Sequence, residues 1–76
     1  MIALVGIIVK SEEVVAKVNE LLHDFRGHIV GRMGLPLGEK GNIISIVLDS
    51  DPAKVNALTG KLGNLEGVKA KALYGN

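Results

Sequence analysis

The stretch from Ile2 to Val9 (IALVGIIV) is apolar at nearly every position instead of every second one, the pattern of a central strand covered on both faces. A sheet backed by a single helical layer leaves half of such a strand in water. Beyond Ser11 the period changes. Val14, Val15, Val18, Leu21, Leu22 and Phe25 recur at helical spacing and make one stripe, with Lys17, Glu20 and Asp24 off it. Ser11 offers an N-cap, Glu12 and Glu13 suit the positive end of a helix, and Gly27 is a stop. His28 to Leu35 (HIVGRMGL) reads as a second strand, Pro36 to Gly41 as a loop, and Asn42 to Asp49 (NIISIVLD) as a third strand. Ser50 or Asp51 caps a second helix that takes Pro52 in its first turn, repeats Val55, Leu58 and Leu62, and ends at Gly63. After a turn at Asn64 to Gly67, Val68, Ala70 and Ala72 alternate with Lys69 and Lys71 up to Tyr74, as in an edge strand with one wet face.

The order β-α-β-β-α-β predicts an α+β fold of the ferredoxin-like kind, an antiparallel sheet in the order 4-1-3-2 with both helices on one face. That order sets the two most apolar strands, the first and third, in the middle. The whole chain, 1–76, is expected to form one domain, with no linker, repeat or low-complexity segment. Closing the loop with Leu35 opposite Asn42 places Arg32 opposite Ser45, with Val30, Gly34, Ile43 and Val47 on the same face. Ile29, Met33, Leu35, Ile44, Ile46 and Leu48 then form the richer apolar face, which should take the helices. A slip of one residue exchanges the two faces. In either register the face away from the helices keeps several branched aliphatics, and on a small protein such a patch marks a contact surface.

Size sharpens that point. A domain of 76 residues hides only about 60% of its unfolded surface and sits near the edge of independent stability. With no cysteine to staple it and no convincing metal ligands, association with further copies is the remaining device. Nine Lys and Arg against eight Asp and Glu leave a net charge of +1, which is no electrostatic case for direct nucleic-acid binding. The apolar start lacks a basic leader and breaks at Lys10, short of the ~20 residues that span a bilayer, so it is taken as a strand of a cytoplasmic protein.

Several chemistries hosted by this fold fail on their residues. RNA-recognition domains stack bases on aromatics of the first and third strands, which have none here. Copper chaperones need a cysteine pair. Acylphosphatases want an arginine cradle where this chain offers Lys10 and Ser11. Amino-acid-binding domains of the ACT type have the right layout, but Val9-Lys10-Ser11-Glu12 lacks the glycine of their ligand loop. No Ser-His-Asp or Cys-His set is present, so no catalytic residues are named, and no cofactor is implied.

Four segments carry a resemblance when taken together: Val5-Gly6-Ile7-Ile8-Val9, Val18-Asn19-Glu20-Leu21-Leu22-His23, Gly31-Arg32-Met33-Gly34 and Asn56-Ala57-Leu58-Thr59-Gly60-Lys61-Leu62-Gly63. Over almost its entire length the chain resembles the small family of regulators of the iron-only hydrogenase system. The resemblance implies an ACT-like domain, similar to the effector-binding half of the nickel-responsive repressor and expected to assemble through its sheet. Nickel sensing does not follow, because square-planar nickel wants histidines with a thiolate or another nitrogen. His23 and His28 are the only histidines, on either side of a helix end, and they read as surface residues near a turn. The repressor's DNA-binding segment has no counterpart either.

Arg32 is the most informative charge, lying in an apolar strand close to Gly31 and Gly34. Its planar guanidinium suits two-pronged capture of a carboxylate or phosphate, or a pairing with Glu39 or a neighbouring subunit. The glycines admit a ligand or permit close packing. Arg32, Gly31, Gly34 and Ser45 are therefore the expected effector-binding set. Asp49 and Asp51 fit a helix cap better than paired acid-base carboxylates, and Lys69 and Lys71 fit an edge protected against aggregation. The expected role is a non-enzymatic regulatory domain, homo-oligomeric (dimer or tetramer) through its sheet, taking a small effector or a partner protein. The second reading is a DNA-associated transcriptional regulator acting within a larger assembly.

Overall fold

The computed structural model describes residues 1–75. Its elements are β1 (Ile2–Val9), α1 (Glu12–Asp24), β2 (Ile29–Pro36), β3 (Asn42–Asp49), α2 (Pro52–Gly63) and β4 (Val68–Tyr74), with single 3-10 turns at Arg26–His28 and Gly38–Lys40. The four strands pair antiparallel in the order β2-β3-β1-β4, which is the ferredoxin-like arrangement. β3 and β4 fall where the sequence pattern puts them. β2 is displaced one residue toward the C-terminus because His28 is drawn into the 3-10 turn that follows α1.

The two helices cover one face. Every second residue of β1 (Ala3, Val5, Ile7, Val9) is fully buried, as are Ile46 and Leu48 of β3, apart from a 1% trace at Leu48. Val18 and Leu22 of α1, and Val55, Leu58 and Leu62 of α2, close the core from above, with Val14, Val15, Leu21 and Phe25 packed at its margin. No polar or charged residue lies in this core among the described residues, so it carries no desolvation cost to offset. α2 starts on Asp51, whose Oδ1 accepts the Lys54 amide at 2.8 Å, and Pro52 occupies its first turn. Asp49 has a different role, 3.4 Å from the N-terminal ammonium.

The hairpin between β2 and β3 corrects the expected register. Pro36, not Leu35, stands opposite Asn42, so Met33 pairs with Ser45 and Arg32 with Ile46. The cause is a tighter loop than the sequence suggests. Leu37 N–H donates to Gly41 O at 2.8 Å, and Gly41 adopts φ 95°, a conformation suited to glycine. A bulge at Val30 then restores the alternation at the start of β2, with Ile29 opposite Leu48 and Gly31 opposite Val47. The one-residue difference reverses the faces of most of β2. Arg32 and Gly34 lie on the helix side, whereas Met33 and Leu35, expected in the core, lie on the open side.

Candidate functional site

The open side of the sheet is built from the other half of the same strands. Its cross-strand rows follow from the pairing: Lys69-Ile8-Ile43-Leu35, then Lys71-Gly6-Ser45-Met33, then Leu73-Leu4-Val47-Gly31. Ile2, Leu4 and Ile8 are each more than two-fifths exposed, and Met33, Leu35 and Leu73 lie bare at 60%, 49% and 70%. These are core-type residues in the position of surface residues. Gly6 has no side chain, so the face dips into a trough beside Ile8 and Ile43, with Lys69 and Lys71 on its β4 side. The depression there has a volume of about 630 Å³ and is lined by Gly6, Ile8, Ile43, Lys69 and Lys71. Nothing lies within 4 Å of where a Gly6 side chain would begin, so the trough is open space and not a packing requirement.

The four residues expected to form one effector site are divided by the register. Ser45 and Gly31 belong to the open face, Arg32 and Gly34 to the helix side. Arg32 ends the row Ala72-Val5-Ile46 at the sheet edge and reaches over to α1, where its Nη2 donates to Asn19 Oδ1 at 3.0 Å. It does not pair with Glu39, and the salt bridge between the N-terminus and Asp49 is the only ion pair among the described residues.

Below Arg32 the chain leaves α1 through the 3-10 turn, and this brings Arg26 and His23 to the same side. Arg26 Nη1 donates to His23 O at 2.9 Å. Asn19, Leu22, His23, Arg26, Ile29 and Arg32 line a recess of about 260 Å³ between α1 and β2. Asn19 and Arg26 were not singled out by the sequence. Asn19 and His23, four apart on one face of α1, with Arg26 in the turn that follows, carry the signal, but only the β2 register shows that Arg32 joins them. His28 points elsewhere, its Nε2 3.5 Å from Lys54 Nζ. Glu20 and Asp24 line a different recess, shared with Lys17 and Lys61 between the two helices. A fourth depression, at Ser11, Glu13, Lys17, Glu66 and Gly67, lies where the β1–α1 loop meets the turn before β4. Among the described residues no helix is long and apolar enough to cross a membrane.

The fold and its two surface features define a small ferredoxin-like α+β domain with an uncovered apolar sheet and a cationic corner at one edge. The chain belongs to the TM1266-like family, described as "Iron-only hydrogenase system regulator, putative", whose model matches residues 1–72. Among solved structures it is similar to protein TM1266 of Thermotoga maritima, titled as an uncharacterized protein, at 38% identity and a TM-score of 0.84, over 95% of this chain and 91% of that one. No curated protein matches.

Proposed function

We propose that the chain is a non-enzymatic, ACT-like regulatory domain that pairs with a second copy through the open face of its sheet and responds to a small effector. The observation that carries this reading is the open face itself. Four strands about 4.8 Å apart and seven or eight residues long at about 3.3 Å each span on the order of 500 Å², the size of the largest apolar patch on a typical monomer, and such a patch is often a functional surface. Two such faces reach the roughly 1,000 Å² that a specific interface needs.

Relief and charge favour a twin over an unrelated partner. The trough at Gly6 lies beside the ridge of Ile8, Ile43 and Leu35, so a two-fold axis sets the ridge of each copy into the trough of the other. The charges of the face, Lys69, Lys71 and Asp49, lie on its edge strand or at the end of β3, leaving the centre neutral. Regulation as the role is supported by the family's description. Light scattering on the native protein at micromolar concentration is expected to give twice the chain mass of 8.0 kDa, or four times if dimers pair. Ile8→Asp, which buries a charge at the contact and touches no core residue, is expected to give a folded monomer. A native monomer overturns the proposal.

A further inference from the structure

We propose that the recess between the end of α1 and the edge strand β2 binds a small organic anion, a carboxylate or a phosphate ester of a few carbons, through Arg26 and Arg32. This deepens the reading above by naming the class of effector, and it rests on the effector-binding part of that reading.

Two guanidiniums line this one recess, and neither has a carboxylate partner among the described residues. Each makes one hydrogen bond to a neutral oxygen, Arg32 to Asn19 Oδ1 and Arg26 to His23 O, and keeps its remaining N–H groups for another acceptor. Like charges gathered in a concave site raise one another's energy, and a bound anion relieves that cost while filling both forks. The nearest acidic residues of α1, Glu20 and Asp24, face the recess between the helices and do not compensate.

The end of α1 would ordinarily repel an anion, because the last carbonyls of a helix carry partial negative charge. Here Arg26 donates to one of them, His23 O, and so masks it. His23 lines the same recess and adds an imidazole N–H donor to it. Buried Leu22 and half-buried Ile29 form an apolar floor, which suits a carbon body better than a fully hydrated ion. A volume of about 260 Å³ lies below the range of drug-sized pockets and limits that body to a few carbons.

The test is an NMR titration of the full chain with inorganic phosphate and, separately, succinate, following the His23 ring and the arginine Nε–H signals. Saturable shifts of these signals with either anion support the site. Phosphate alone points to a phosphate ester, succinate alone to a carboxylate, and both to recognition of oxyanion geometry. Arg32→Gln and Arg26→Gln, both at exposed side chains, are each expected to weaken binding about tenfold or more. Arg32→Lys, which keeps the charge but loses the fork, should fall between them and the native protein. Lys40→Gln, exposed in the turn between β2 and β3, should change nothing. Absence of saturation with both anions, or native affinity in both glutamine variants, overturns the proposal. The result is separable from assembly: a monomer that still binds phosphate keeps this site, and a dimer that binds neither anion loses it alone.

Discussion

Ile7 and Ile8 are neighbours of identical chemistry in one strand, yet Ile7 is fully buried under the helices and Ile8 is 47% exposed on the other side of the sheet. The same contrast runs along β3, where Ile44, Ile46 and Leu48 are buried and Ile43 and Val47 stand on the open face. Side chains of a strand alternate, so one helical layer uses one half of them. The apolarity of the other half is surplus to the folding of this chain. Folding alone would be served by polar residues there, as in other sheets with one solvated face. The difference between the two faces therefore separates what holds the chain together from what it does with other molecules.

The strongest way to break this comparison is to truncate the two neighbours in parallel. Ile7→Ala removes three buried carbons from a core closed by Val18, Leu58 and Leu62, and is expected to cost about 2–5 kcal/mol in chemical denaturation. Ile8→Ala should cost under about 1 kcal/mol when the protein is dilute enough to be monomeric. At higher concentration the gap should narrow, because a dimer adds stability by mass action and Ile8 then lies inside the contact. A gap that is the same at every concentration would mean that the open face stays in water.

A smaller effect sharpens the question of how β2 presents its residues. Gly41 is buried with φ 95°, and a Cβ there would meet the Val9 carbonyl oxygen at 2.5 Å. Gly41→Ala is expected to cost about 1–3 kcal/mol by thermal or chemical unfolding, since neither the backbone angle nor the space suits alanine. The loop it closes determines that Met33 and Leu35 face away from the helices. Faster amide exchange of Leu37, whose N–H donates to Gly41 O, would locate the damage in that hairpin.

That hairpin is also where the sequence stops being readable. Element order, the two central strands and the buried stripe of α1 all follow from local periodicity, because each is repeated over several residues. Register between strands depends on one loop, and a single residue in Pro36 to Gly41 moves Arg32 from beside Ser45 to above Asn19. The apolar open face survived this error, since β1 and β3 are aliphatic on both sides. The effector set did not stay together, because Arg32 and Ser45 had to share a face for it to exist. Asn19 and Arg26 could be found only after α1 had been set against β2.

The smallest effect concerns how the covered face is anchored, since its two helices begin in different ways. Both have an oxygen-bearing residue at the N-cap, Ser11 for α1 and Asp51 for α2, and the sequence offers them as equivalents. Asp51 accepts the Lys54 amide, whereas Ser11 makes no side-chain cap bond, and α1 begins instead with a backbone bond from Val14 N–H to Ser11 O at 3.3 Å. Asp51→Ala should therefore cost about 1 kcal/mol, through the lost acceptor and the lost negative charge at the helix start. Ser11→Ala should stay within about 0.5 kcal/mol, the range of ordinary surface changes. Paired denaturation curves measure the difference. Equal costs at the two caps would show that Ser11 closes onto its helix in solution, and that α1 is held to the sheet as firmly at its start as α2.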